Sequence, residues 1–325
     1  MTRPVCLVTG ATGAIGPGLV EALAPTFEIR TLSRRPAGPG LFHVPVTSFT
    51  GDISNIADVR RAAAGAQVIV HLAALLHIVD PPSTARPEYE RVNVGGTAAV
   101  IEAARTERVS RVVFLSTIAV YGYHRRVLLD ENSTPSPDTF YGETKLAAER
   151  LALDARRADG RPLSNVLRSA AVYGPRVKGN YSRLVHALAR RRFVPIGLGD
   201  NLRTLVFEDD LAAATALAAT HPAAAGRIYN VSDGTPHPLR EIIAAICAAL
   251  GRRPPRWHVP VAPVRAALHV ASVVDRRLPT MLNKYLEEVA VDGSRIQREL
   301  GFRPATGLID GWSATVAGMR RSGSL

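Results

Sequence analysis

Short β-branched apolar runs alternate with stretches whose apolar positions recur every three or four residues, and this rhythm fills the first half of the chain. Strands are predicted over residues 5–9 (VCLVT), 28–32 (EIRTL), 46–52 (VTSFTGD), 68–74 (VIVHLAA), 111–117 (RVVFLST) and 164–170 (SNVLRSA). Helices are predicted between them, over 14–23, 55–64, 88–106 and 140–159. The strands are almost continuously apolar rather than alternating, so both faces of their sheet must be covered. The fold class this implies is α/β: a doubly wound parallel sheet with helices on both faces. After VYGPR (172–176) the rhythm changes to a helix over 181–191, a loop, and a proline-interrupted helical region from residue 254. Residues 1–171 therefore read as the main unit, rejoined by about 204–231, with 172–203 and 232–325 forming a smaller C-terminal lobe.

Composition adds limits to this picture. The 325 residues are 46% hydrophobic and carry a net charge of +12, with a mean hydropathy of +0.06 and a pI near 10.4. That balance suits a globular protein in water. The most apolar tract, 211–226, is broken by Pro222 and is too short to span a bilayer. Cys6 lies in a predicted strand and Cys247 in a helical pattern, so both read as reduced core residues. With a strand starting this close to the N-terminus in place of a signal peptide, the expected location is the cytoplasm. Arginine carries the positive charge; lysine occurs only at 145, 178 and 284. The arginines are scattered and no nucleic-acid-binding motif is present, so nucleic acid is not expected as a partner. A solvated basic surface accounts for the charge; the functional alternatives are a polyanionic substrate or an anionic membrane face.

Two motifs carry chemistry. VTGATGAIG places glycines at 10, 13 and 16 between a strand and a helix. In that context Gly10 permits the tight turn, Gly13 lets backbone approach a pyrophosphate, and Gly16 lets the helix pack against the strand. The helix N-terminus then supplies donors and a positive dipole end. YGETK, residues 141–145, puts the Tyr141 phenol and the Lys145 ammonium one helical turn apart. A cation there is expected to lower the phenol pKa and hold a cofactor ribose. A chain that otherwise prefers arginine has lysine at this point, where a compact charge and a planar fork are not equivalent. Upstream, FLSTIAVYG ends a strand with Ser116 and Thr117, hydroxyls suited to a substrate oxygen.

TGATGAIG, GDI (51–53), HLAA (71–74), VNVGGT (92–97), STIAVYG (116–122), YGETK, LRSAAVYGPR and RTLVFEDDLA occur in this order over essentially the whole chain. Together they resemble the extended short-chain dehydrogenase/reductases, in particular the NAD(P)-dependent epimerase/dehydratase group, closest to bacterial sugar C4 reductases and epimerases. The resemblance implies a Rossmann sheet and a catalytic set of Thr117, Tyr141 and Lys145, with Asn93 in support. It implies cofactor contacts from Gly10, Thr12, Gly13, Ala14, Ile15 and Gly16. Asp52 and Ile53 would flank the adenine, and Leu72, Ala73 and Ala74 would line the cofactor channel. Two plainer roles stay open: Asn93 tying down a helix, and Asp52 capping the helix after it. Asn180 and Tyr181 would open a helix above a diphosphate, and Arg203 matches a diphosphate-binding arginine of sugar-nucleotide epimerases. Lys178 is either a substrate contact or surface charge. Relatives often pair as homodimers through the Tyr/Lys helix. The sequence departs from the pattern at Ala171, where many such epimerases have asparagine, and it lacks a second diphosphate arginine near Lys284.

The second predicted strand ends in Ser33, Arg34 and Arg35, where NAD-holding relatives commonly have aspartate. A guanidinium fork pairs with a 2′-phosphate, so NADP(H) is favoured; an arginine that merely stacks on adenine would suit NAD(H) equally. A cofactor consumed each turnover favours net reduction. The expected activity is reduction of a C4 ketone on a nucleotide- or polyprenyl-diphosphate-linked sugar. The alternatives are an NAD-dependent 4-epimerase, a non-catalytic NADP-sensing protein, and a reductase of small aldehydes or steroid-like ketones. Ile118 and Ala119 stand where dehydratases carry an acidic pair. A helical apolar pattern over 264–274 reads as core packing, with peripheral membrane contact as its alternative. No metal site is read.

Overall fold

The computed structural model describes residues 3–76, 83–124, 127–271, 282 and 285–325. Lys284 and the end of the 264–274 pattern lie outside the described residues. Seven strands, β1 (Val5–Thr9), β2 (Glu28–Ser33), β3 (Val46–Thr50), β4 (Val68–His71), β5 (Arg111–Thr117), β6 (Ser164–Ser169) and β7 (Ile228–Val231), form one sheet. They pair in parallel in the order β7-β6-β5-β4-β1-β2-β3. The chain reverses its direction of winding between β1 and β4, which opens a crevice at their carboxyl ends.

Burial on both faces explains the unbroken apolar strands. On β1, Cys6 and Val8 pack with Leu19 and Leu23 of α1 (Gly16–Leu23), while Leu7 packs the other way with Val59 and Val100. Those two residues belong to α2 (Ile56–Ala63) and α3 (Gly96–Thr106). Helix α4 (Phe140–Asp154) covers the same face beside α3. Helix α5 (Asn180–Ala189) belongs to a separate core, and α6 (Glu208–Thr220) returns to pack on α1. In that separate core Val185, Leu188, Leu205, Ile246 and Trp312 are buried together, and the Tyr173 and Trp312 rings stack at 4.6 Å.

Three local differences from the pattern have physical causes. The predicted 88–106 helix is interrupted by a π-helical turn over Glu90–Gly95, so α3 proper begins at Gly96. A side chain at Gly96 would press on Ile53, with a Cβ 3.0 Å from its Cγ2. Helix α4 stops at Asp154, not 159, because Ala155 is extended and Arg156 bridges back to Pro162. Leu205–Phe207 does not join the main sheet; it pairs with Ala171–Tyr173, while β7 does join.

One ion pair is wholly internal. Arg168 on β6 meets Glu149 on α4, with Nη2–Oε2 at 2.7 Å and side chains only 3% and 1% exposed. Ser116 on β5 donates its hydroxyl to the same carboxylate, and the guanidinium lies 4.8 Å over the Tyr121 ring.

Candidate active site

The crevice between β1 and β4 is shaped by missing side chains. Gly10 has φ +76°, and a Cβ there would stand 2.7 Å from the Ala73 backbone, so the loop after β4 closes against the loop after β1. A Cβ on Gly16 would overlap the Ala11 carbonyl. At Gly13 the only neighbour within 4 Å of a Cβ is the Gly10 oxygen, at 3.2 Å, which leaves room for a ligand to approach. Thr12, Gly13 and Ala14 are exposed and Ile15 is half-buried; the last two precede α1 instead of starting it. Helix α1 has no side-chain cap and no acidic residue in its first turn; Gly16 N turns back to Gly13 O at 3.1 Å and Pro17 has no N–H, so the positive end of the helix dipole, unopposed by a carboxylate, is what it offers an anion. Leu72 N donates to Thr9 O at 3.2 Å and Ala73 N to Thr9 Oγ1 at 3.3 Å, which holds the 72–74 segment along the crevice.

At the far corner, the Ser33 hydroxyl is buried without a hydrogen-bond partner, and Arg34 and Arg35 are exposed beside it. Asp52 accepts from Ser54 N at 2.9 Å and Ser54 Oγ at 2.8 Å, and the backbone bond chiefly holds its carboxyl below the usual range. It does not cap α2; Asn55 does, accepting from Ala57 N at 3.0 Å. Arg91, which the sequence reading passed over, lies 3.5 Å from Asp52. Ile53 is buried beneath Gly96, away from solvent. The small loop, the uncapped helix end and the orphaned Ser33 hydroxyl together fit a dinucleotide.

Thr117 ends β5 in an extended conformation, its Oγ1 accepting from Ala119 N at 3.2 Å. Ser116 turns the opposite way, to Glu149, and of the two hydroxyls Thr117 lines the cavity. Tyr141 stands in the first turn of α4, which is capped by Thr139 accepting from Gly142 N at 3.1 Å. Lys145 follows one turn on and is buried, its Nζ donating to Leu115 O at 2.6 Å and lying 4.0 Å over the Phe114 ring. The expected lowering of the phenol is corrected here. Burial, and then Tyr89, push the Tyr141 phenol up to about 12, while burial, opposed by Glu149, brings Lys145 down to about 7. The ammonium is engaged by a carbonyl and a ring, and burial sets the direction of the phenol's shift. Asn93 is the tie between elements: its Nδ2 donates to Leu75 O at 3.2 Å and Thr144 Oγ1 at 3.0 Å, and its Oδ1 accepts from Leu75 N at 2.8 Å.

These shifts give a pH dependence. As pH rises through about 7, Lys145 loses its proton in the free protein. If its charge holds a cofactor hydroxyl, kcat/KM for cofactor falls on the alkaline side of a limb near pH 7, and Tyr141 stays protonated throughout. Stability moves oppositely: between about 7 and 10.5 the unfolded chain holds the lysine proton and the folded chain does not, so stability rises with pH across that window. Urea midpoints and initial rates measured over the same pH series check both.

A cavity of about 690 Å³ brings Thr117 and Tyr141 together with Asn180, Tyr181 and Arg203. Asn180 is the first residue of α5, whose N-cap, Gly179, makes no side-chain bond. Arg203 donates from Nη2 to Tyr285 O at 3.0 Å, with Nη1 3.8 Å from Glu287 Oε2. Ala171 lines the cavity where an asparagine was looked for, and Lys178 lines a smaller neighbouring pocket with Asn180. The sequence reading also missed Phe193, Tyr285 and Glu287, which line the cavity. Only the absence of a second arginine near residue 284 hinted at that wall. Among the described residues no group of His, Cys, Asp and Glu is arranged to hold a metal, and no helix is long and apolar enough to cross a membrane.

Known proteins resemble this chain over nearly its whole length. A UDP-glucose 4-epimerase of Vibrio cholerae is 29% identical over 95% of this chain and 93% of its own. A 4-hydroxy-2-methyl-3-oxo-4-farnesyl-3,4-dihydroquinoline-1-oxide ketoreductase of Stigmatella aurantiaca is 29% identical over 91% of this chain and 90% of its own. The solved structure of MoeE5 in complex with UDP-glucose and NAD superimposes with a TM-score of 0.79 at 30% identity, covering 98% of this chain and 99% of that one. Residues 6–232 match the model of the NAD dependent epimerase/dehydratase family, and the chain belongs to that family.

Proposed function

We propose that the protein is an NADPH-dependent reductase of the C4 ketone of a sugar linked to a nucleoside or polyprenyl diphosphate. The corner at the end of β2 carries this reading: a buried, unpartnered Ser33 hydroxyl beside exposed Arg34 and Arg35, with no carboxylate among residues 31–36. Two guanidiniums and a hydroxyl suit a 2′-phosphate, which an aspartate would repel. NADPH, when bound, supplies the hydride. Gly10 to Gly16 would hold its pyrophosphate, Leu72 to Ala74 would line its path, and Asp52 would border the adenine end, with Ile53 packed beneath it under Gly96.

Tyr141, protonated across neutral pH, donates the proton to the oxygen that develops at C4. Thr117 orients that oxygen from the end of β5, and Lys145 positions the ribose. Segments 172–203 and 232–325 act as the substrate lobe, with Asn180, Tyr181 and Arg203 facing the diphosphate. The exposed Leu151 of α4 supports a homodimer through that helix.

The test is cofactor identity. Purified protein, denatured, should release little NAD, and kcat/KM should favour NADPH over NADH. The Arg34→Ala/Arg35→Ala variant is expected to lose NADPH selectivity by roughly 10–100-fold, the worth of one or two charged hydrogen bonds. Stoichiometric NAD retained through purification would instead establish the redox-neutral 4-epimerase.

A further inference from the structure

A second surface lies on the outer side of the lobe, formed by two segments distant in sequence. Arg252 Nη1 donates to Leu188 O at 3.1 Å, Gly197 N to Val259 O at 2.9 Å, and Val259 N to Pro195 O at 2.9 Å. These bonds set residues 194–198 beside 257–259. The apolar side chains there point outward: Val194 is 58% exposed, Leu198 67%, Trp257 87% and Val259 37%. An indole left this open in a folded protein is unusual, and four neighbouring exposed apolar residues form a patch of the kind that marks a contact surface.

The rim of the patch has one sign of charge. Residues 181–199 and 251–271 contain eight arginines and no aspartate or glutamate. Arg190, Arg191, Arg192, Arg253 and Arg256 are exposed. Asp200, which follows the first segment, is paired with Arg240. A chain whose arginines look scattered in sequence therefore gathers a cluster here, around an apolar centre.

The chemistry selects the occupant. A second copy presenting the same face would bring arginine against arginine, which disfavours a symmetric pair. A nucleic acid would be drawn to the arginines but would gain little from Val194, Leu198 and Val259. An anionic bilayer satisfies both parts, with acyl chains at the centre and phosphates at the rim. The geometry points to a membrane-docking face: Trp257 and Leu198 enter the headgroup–acyl boundary of an anionic bilayer, and the surrounding arginines bind its phosphates. Val194, Leu198, Trp257 and Val259 all precede the 264–274 pattern, which the sequence reads as core packing. Phe193 and Leu184, from the same segments, line the 690 Å³ cavity, so docking sets the cavity close to the lipid surface. That last consequence rests on the diphosphate-linked substrate reading, with a polyprenyl carrier; the docking itself does not.

The chain has two tryptophans, Trp257 and the fully buried Trp312, so intrinsic emission reports on Trp257 alone at the surface. The full chain is titrated, without substrate or cofactor, with vesicles of phosphatidylcholine alone or mixed with phosphatidylglycerol. Expected are co-sedimentation and a blue shift with the anionic vesicles only, both weakening as salt is added. Arg190→Gln/Arg191→Gln/Arg192→Gln should lower vesicle affinity by roughly fivefold per arginine. Trp257→Ala should weaken binding and remove the shift while leaving the thermal midpoint and NADPH turnover unchanged. No co-sedimentation would overturn the proposal. So would binding that Trp257→Ala/Leu198→Asp leaves intact, or an emission shift produced by RNA or by raised protein concentration but not by vesicles. Because neither substrate nor cofactor is present, failure here leaves the reductase reading standing, and failure of that reading leaves the docking face.

Discussion

Tyr141→Phe is expected to lower kcat by roughly 10²–10⁴-fold, the range for losing a positioned general acid, with cofactor affinity and thermal midpoint little changed. The phenol lines the cavity, and burial keeps it protonated up to about 12. Removing one oxygen deletes the proton donor but keeps the ring that packs in the first turn of α4. Thr117→Ala removes a hydroxyl from the same wall and should cost less, because it orients the reacting oxygen without delivering a proton. Stopped-flow measurement of NADPH oxidation with a 4-keto-6-deoxy sugar nucleotide separates kcat from KM. A variant that keeps full turnover would remove Tyr141 from the mechanism.

The largest effect on stability should come from the buried pair Glu149–Arg168. Truncating one partner, as in Glu149→Leu, leaves an arginine that is 2% exposed without its counter-charge, which costs about 3–5 kcal/mol in comparable sites. The Ser116 hydroxyl loses its acceptor in the same step. Replacing both partners, Glu149→Leu with Arg168→Met, should recover much of that loss, since no lone charge then remains. Urea unfolding of the single and double variants reads the difference. A single variant within 1 kcal/mol of the parent, below the range just given, would show that water reaches the site. The pair also acts on the chemistry. Glu149 lies one turn beyond Lys145 and partly opposes its lowered pKa. Glu149→Leu should therefore move the alkaline limb of kcat/KM below its parent position near pH 7.

Much of the crevice between β1 and β4 was legible because it is encoded locally. Gly10, Gly13 and Gly16 state the need for a turn, a close approach and a tight packing contact within seven consecutive residues. The unbroken apolar strands state that both sheet faces are covered, and the structure agrees in β1, β4, β5 and β6, while the edge strand β3 has no buried residue. The spacing of Tyr141 and Lys145 follows from helix geometry alone. The π-helical turn at Glu90–Gly95 was not legible, because it answers to Asn93 reaching Leu75 and Thr144, contacts 18 and 51 residues away. The direction of the Tyr141 shift was misread for the same kind of reason. Proximity in sequence to a lysine was visible, whereas the burial that raises the phenol depends on packing from distant elements.

The sequence by itself determined the parallel sheet, the glycine cradle, the arginine corner after β2 and the one-turn spacing of Tyr141 and Lys145, since each depends on backbone geometry or residue type over a few positions. Only the tertiary structure decided that Glu287 stands beside Arg203 in the cavity wall and that Thr117, not Ser116, faces that cavity. It also decided that arginines from 190–192 and 253–256 share one rim around Trp257. Those facts are distances between residues far apart in the chain, and they arise when the packing of the cores brings the segments together.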